Sequence, residues 1–298
     1  MADPQNSWIP LRSAELYAEV NPLGAQLSVL RDANGRDLLW NGDPAVWAGR
    51  APVLFPIVGE LAGGKYHLDG KPYPLSRHGF ARGKPFNVVA ATATSATFRL
   101  AADESTLAVY PFQFELDLRF ALNAATLAVI ASVRNLGNTN MPASFGYHPG
   151  LRWPLPYGRE RPAHFIEFEN EEPAPIRCLN SAGLVRPEPH PTPVAGRRLM
   201  LDDSLFTNDA LIFDQVRSRS VTYGAADGPR IRVGLPDAPY LGIWTKPGAP
   251  FICIEPWHGM ADPVGFTGDF TAKPGVFTVA PGGVQSMETN ITLVAGPT

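Results

Sequence analysis

Phe112-Gln113-Phe114-Glu115-Leu116-Asp117-Leu118-Arg119-Phe120-Ala121-Leu122 sets a large apolar side chain at every second position, with mostly polar or charged groups between. That period of two belongs to a β-strand with one buried face, because successive side chains leave the backbone on opposite sides. After Asn123 the pattern resumes at Leu127, Val129, Ala131 and Val133 and ends at Asn135-Leu136-Gly137, the second arm of a long antiparallel pair. Asn34-Gly35 and Asp69-Gly70 readily supply positive φ. They predict hairpins joining Leu27–Arg31 to Asp37–Trp40 and Tyr66–Leu68 to Lys71–Leu75.

Outward from this pair the chain offers many more short strand candidates. They are Val88–Ala91, Ala96–Ala101, Phe165–Phe168, Ala210–Phe213, Arg230–Leu235, Leu241–Thr245, Phe251–Ile254, Val276–Val279 and Ser286–Val294. No long amphipathic helix competes, so the crossover helices of a βαβ fold are missing, and an all-β fold, a large antiparallel β-sandwich, is expected. Pro154 to Pro193 is rich in proline and charge and reads as elaborated loops. Apolar strand-like runs of similar character flank it, so residues 1–298 are expected to form one domain. The 28 glycines and 31 prolines, about a fifth of the chain, suit many turns and fall short of a low-complexity composition.

A net charge of −3 has the wrong sign and size for a nucleic-acid footprint, and a small-molecule partner is expected instead. Cys178 and Cys253 lack zinc or redox spacing and read as free thiols in a reducing compartment. The N-terminus lacks a basic segment leading into an apolar one, and no apolar run is long enough to span a bilayer. The expectation is a cytoplasmic protein with no membrane partner. Its oligomeric state is left open.

Three segments interrupt the strands with titratable groups among aromatics and glycines: Arg77-His78-Gly79-Phe80-Ala81-Arg82, Phe145-Gly146-Tyr147-His148-Pro149-Gly150 and Cys253-Ile254-Glu255-Pro256-Trp257-His258. Glu255 follows an apolar run and precedes a proline, which predicts a partly solvated carboxylate at a strand end. Partial burial would raise it toward neutrality, as suits a general base. His148, read as lying in a glycine-rich turn, is a mediocre proton donor alone. A nearby Glu255 carboxylate would raise its charged fraction. His78, between two arginines, suits a hydrogen bond to a sugar oxygen, and Trp257 suits a sugar face. His67, His164 and His190 read as ordinary surface or turn residues. A metal set of His78, His148, Glu255 and His258 ranks below a metal-free reading, and no lipase, phosphate-loop or dinucleotide motif is present.

At these three segments the chain resembles the aldose 1-epimerase (galactose mutarotase-like) family, in its branch with a His-Gly-Phe-Ala-Arg motif. Pro52-Val53-Leu54-Phe55-Pro56-Ile57-Val58-Gly59, Asp209-Ala210-Leu211-Ile212-Phe213 and Glu255-Pro256-Trp257 extend the similarity in order and spacing. The resemblance implies a supersandwich that interconverts the α and β anomers of a free aldose without metal, nucleotide or other cofactor. Glu255 would take the C1 hydroxyl proton, His148 would protonate the ring oxygen, and His78 would assist. Asp209 would hold ring hydroxyls. The chain departs from the pattern at Glu60, where related sequences often carry arginine. Arg77, Arg82 and Arg152 are candidates for a basic rim that accepts a hexose 6-phosphate, or for partners of carboxylates such as Asp262. A non-catalytic carbohydrate-binding protein is the alternative, and a metal-dependent sugar isomerase a third.

Overall fold

The computed structural model describes residues 8–296. Its largest sheet has nine antiparallel strands in the order Arg198–Met200, Phe165–Phe168, Ser220–Gly224, Arg230–Gly234, Val284–Val294, Thr126–Asn135, Phe114–Asn123, Ser95–Ala101 and Asn87–Ala91. Phe114–Asn123, formed from the alternating run, is the seventh strand of that order and pairs with Thr126–Asn135 over ten residues, with Leu118 opposite Ala131. Phe114, Leu116, Leu118 and Phe120 are buried, each worth roughly 1.5–3 kcal/mol against exposure. On the opposite face Asp117 takes two hydrogen bonds of 2.7 Å from the Arg99 guanidinium.

A second sheet orders Leu211–Phe213, Tyr240–Trp244, Phe251–His258, Phe145–Tyr147 and Val53–Leu54, with Gly150–Arg152 also paired to Phe251–His258. Period-two alternation in this sheet separates core from site. Leu241, Ile243, Ile252 and Ile254 join the apolar cluster that draws on residues from Leu11 to Ile291 and includes the buried face of the nine-stranded sheet. Their neighbours Trp244, Cys253 and Trp257 belong to two smaller clusters on the other side. A third sheet, Ile9–Arg12, Leu16–Asn21 and Gln26–Asp32, and two short strand pairs complete the architecture. Among the described residues no helix is long and apolar enough to cross a membrane.

Two local expectations need correction. The Asp69-Gly70 hairpin forms with both residues at positive φ, 50° and 76°. At Asn34-Gly35, however, the second arm leaves after an isolated bridge from Arg31 to Asp37, and Leu39 bridges to Leu151 instead. Leu38, Leu39 and Trp40 are all buried, so apolar burial outweighs extension of the hairpin. The strand at 251 also does not stop before Glu255 but runs through Pro256 to His258. Its neighbour on one side is interrupted between Tyr147 and Gly150, so that Pro256, which has no N–H to give, lies beside a break in the ladder.

Candidate functional site

The interrupted strand sets the centre of the site. Gly146 pairs with Trp257 and Gly150 with Cys253, and this common register places Glu255 opposite His148. His148 therefore occupies a break in a central strand, not a glycine-rich turn, and its backbone N–H bonds to Pro52 O at 3.1 Å. Its Nε2 lies 3.3 Å from Glu255 Oε2. Glu255 is mid-strand and 1% exposed, so the expected partial solvation gives way to full burial. Its Oε2 also accepts the Trp257 indole N–H at 3.2 Å. Trp257 lies over Gly242 and Gly146 of the flanking strands, where an added Cβ on Gly242 would come within 2.4 Å of the indole.

Burial raises Glu255 well above the ordinary carboxylate range, and the Trp257 N–H only partly opposes this. Burial also lowers His148 to about 3. The expectation that each group stabilises the other's charge is thus reversed, because lost hydration dominates at both groups. Between them, the proton belongs on Glu255.

His78 comes from a different part of the chain. Its φ is +67° and that of Gly79 is +71°, folding the motif back on Phe55. Phe80 N–H bonds to Phe55 O at 3.0 Å, and a Cβ on Gly79 would sit 2.2 Å from that same oxygen. The Gly59 N–H donates to His78 Nδ1 at 3.1 Å, which leaves the proton of the neutral ring on Nε2. Burial, with His148 nearby, keeps that ring from charging. Gly59 is held in turn by its neighbours. Asp262 accepts the Ala62 N–H at 2.8 Å and the Lys273 ammonium at 2.5 Å, and these acidic and basic side chains are 4% and 1% exposed.

Arg77, Arg82, His78, His148, Asp209, Glu255 and Trp257 all line one solvent-open cavity of about 170 Å³. Arg77 Nη2 lies 3.5 Å from Asp209 Oδ2, and Arg82 donates to the Arg77 carbonyl at 2.7 Å. Burial, and then Arg77 beside it, lowers Arg82 from the usual guanidinium value. Arg152 is not among the lining residues, and Asp262 pairs with Lys273 instead of an arginine. Glu60 lies with Arg77 on an adjoining outer recess.

Sequence reasoning missed Trp47 and Trp244. Their ring centroids are 5.1 and 5.6 Å from that of His148, so the imidazole is packed by two indoles. They are nearly 200 positions apart in the chain, and no local motif links them. His258 is not brought into the cavity; its Nε2 lies 3.5 Å from Asp237. The metal set read from the sequence is therefore not assembled. Among the described residues, the group with metal-ligand spacing is His148, Cys253 and Glu255. His164 is also no surface residue: it is buried and accepts the Leu155 N–H.

Residues 9–274 match the family described as Aldose 1-epimerase. Protein LacX, chromosomal, of Lactococcus lactis subsp. lactis is 32% identical over 296 residues, covering 96% of this chain and 99% of that one. A galactose mutarotase related enzyme from Lactobacillus acidophilus superposes with a TM-score of 0.90 at 29% identity, covering 97% of this chain and 98% of that one. A galactose mutarotase-like protein from Lactobacillus casei ATCC 334 gives 0.89 at 27% identity, covering 97% and 100%.

Proposed function

Since the chain belongs to the aldose 1-epimerase family, we propose that it interconverts the α and β anomers of a hexose by general acid–base opening and closing of the ring. The observation that carries this reading is the approach of His148 to Glu255 at 3.3 Å inside a cavity whose burial drives their proton affinities apart. Ring opening takes the C1 hydroxyl proton onto the Glu255 carboxylate while imidazolium His148 gives a proton to the ring oxygen. The bond from C1 to the ring oxygen breaks and the aldehyde forms. Rotation about C1–C2 presents the other face, and both protons return along the same routes.

After opening, the pair is a carboxylic acid and a neutral imidazole, the arrangement that burial favours. The site's electrostatics therefore favour the open-chain intermediate. The reactive arrangement needs one proton to pass from Oε2 to Nε2. The Trp257 N–H and the Arg77 charge both lower the proton affinity of Glu255 and so help that transfer. His78, with its proton on Nε2, serves as a neutral donor to a sugar oxygen. Asp209 serves as an acceptor for ring hydroxyls. Arg77 and Arg82 line the cavity with Asp209 and Glu255, the latter held toward its neutral acid form by burial, and the two guanidinium groups also suit a phosphorylated hexose.

Fresh α-D-glucose, α-D-galactose and a hexose 6-phosphate, followed by polarimetry and anomer-resolved NMR, test the reading. Glu255→Gln and His148→Ala should each slow equilibration by ~10²–10⁴-fold. Full activity in both variants would remove the assigned roles. Sugar binding without any anomerisation by the unaltered protein would favour a carbohydrate-binding protein instead.

A further inference from the structure

Cys253 precedes Glu255 by two positions on one strand, so both side chains leave on the same face, toward His148 of the neighbouring strand. One ligand atom from each, a sulfur, an oxygen and a nitrogen, lies within 4.8 Å of the other two. Proton transfer between sugar, Glu255 and His148 gives the sulfur no task. We infer that these three side chains form a binding site for a thiophilic divalent cation of the Zn²⁺ class, and that its occupancy silences the acid–base pair.

Tetrahedral zinc with bonds of ~2.0–2.1 Å to nitrogen and oxygen separates those two ligand atoms by about 3.3–3.4 Å. His148 Nε2 and Glu255 Oε2 are already 3.3 Å apart. A sulfur at ~2.3 Å from the metal belongs about 3.6 Å from either, within reach of a small side-chain adjustment. Binding releases the Cys253 thiol proton and the Glu255 proton to solvent. The resulting thiolate and carboxylate then balance the two positive charges, so a buried site gains no net charge. The thiolate selects against Mg²⁺ and Ca²⁺, which take oxygen ligands.

The supporting shell limits the affinity. A ligating histidine normally gives its second ring N–H to a partner, at a loss of about 10–100-fold in affinity where that partner is missing. His148 Nδ1 is buried with no such partner. The cation is therefore a reversible occupant, competing with sugar, and not a resident cofactor.

Co²⁺ added to chelator-treated protein is the direct probe. One equivalent should bind with a thiolate-to-cobalt charge-transfer band in the near ultraviolet and tetrahedral bands in the visible, and Zn²⁺ should bleach both. Cys253→Ser and Cys253→Ala should each abolish the charge-transfer band, with folding checked by thermal melting. Cys178→Ser should keep it. Glu255→Gln should weaken binding at least about tenfold while the sulfur band persists. No stoichiometric Co²⁺ binding, or a band that survives loss of Cys253, overturns the inference. Because the readout is spectroscopic, it stands or falls separately from anomerisation.

Discussion

Replacing Trp257 by phenylalanine keeps an aromatic ring over Gly242 and Gly146 but removes the N–H that reaches Glu255 Oε2 at 3.2 Å. A hydrogen bond to a charged group is worth about 1.5–3 kcal/mol. Losing it should raise Glu255 further beyond its already raised value. Two effects follow from the same lost bond. The reactive arrangement, with Glu255 ionised, costs that much more to reach, and the plateau of kcat/KM should fall by about 10–150-fold. The alkaline limb, set by loss of the pair's single proton from Glu255, should move to higher pH. The acid limb reports addition of a second proton to His148, held down to about 3, and should stay in place. The pH–rate profile, measured by polarimetry with a chelator present, contains all three quantities. An unchanged plateau, or an alkaline limb displaced to lower pH, would refute the role given to the indole.

Lys273→Met strands the Asp262 carboxylate in the interior and should cost about 3–5 kcal/mol. For 298 residues that is a fall in Tm of roughly 5–8 °C, visible by calorimetry, and a shift under about 1 °C would show that the pair is not holding the loop. Gly79→Ala and Gly35→Ala both put alanine at positive φ, which alone costs about 1–2 kcal/mol. Only at Gly79 does the new Cβ meet an atom, Phe55 O at 2.2 Å, so urea midpoints should fall clearly further for Gly79→Ala; equal losses would contradict the close approach. Stability should also carry a sign change with pH. Between about pH 6.5 and pH 4.5 the unfolded chain binds two more protons at His78 and His148, whose folded values are depressed, and one fewer at Glu255, whose folded value is raised. Acidification through that window should therefore cost about 1.4 kcal/mol per pH unit from these three groups, with His164 adding in the same sense. Above it Glu255 alone remains and stability should fall as pH rises; urea melts across the window that show the opposite slopes would reject this proton count.

The alternating runs were legible because a strand with one wet face writes its burial pattern directly into every second residue, as Phe114 to Phe120 do. Asp37–Trp40 was misread because the same local pattern serves a hairpin arm or a buried crossing, and only the position of Leu151 decides between them. Glu255 and His148 were found through short motifs, yet their mutual register was hidden, since it depends on pairings on either side of the break at His148-Pro149. Reading Pro256 as the end of a strand concealed the burial of Glu255. The odd-numbered series Phe251, Cys253, Glu255, Trp257 carried the signal that would have found it, one continuous face through the proline. Trp47 and Trp244 left no such trace, because each reaches His148 from a distant segment.

The strand Val284–Val294 lies in the interior of the nine-stranded order, between Arg230–Gly234 and Thr126–Asn135. During synthesis, the two halves of that sheet are made long before the strand that joins them. Both flanking strands must wait with unpaired edges until the ribosome has released residues near 294, a period of exposure that favours chaperone capture and pairing between nascent chains. A ribosome stalled before Val284 should therefore carry every residue that lines the cavity and still hold a protease-sensitive chain.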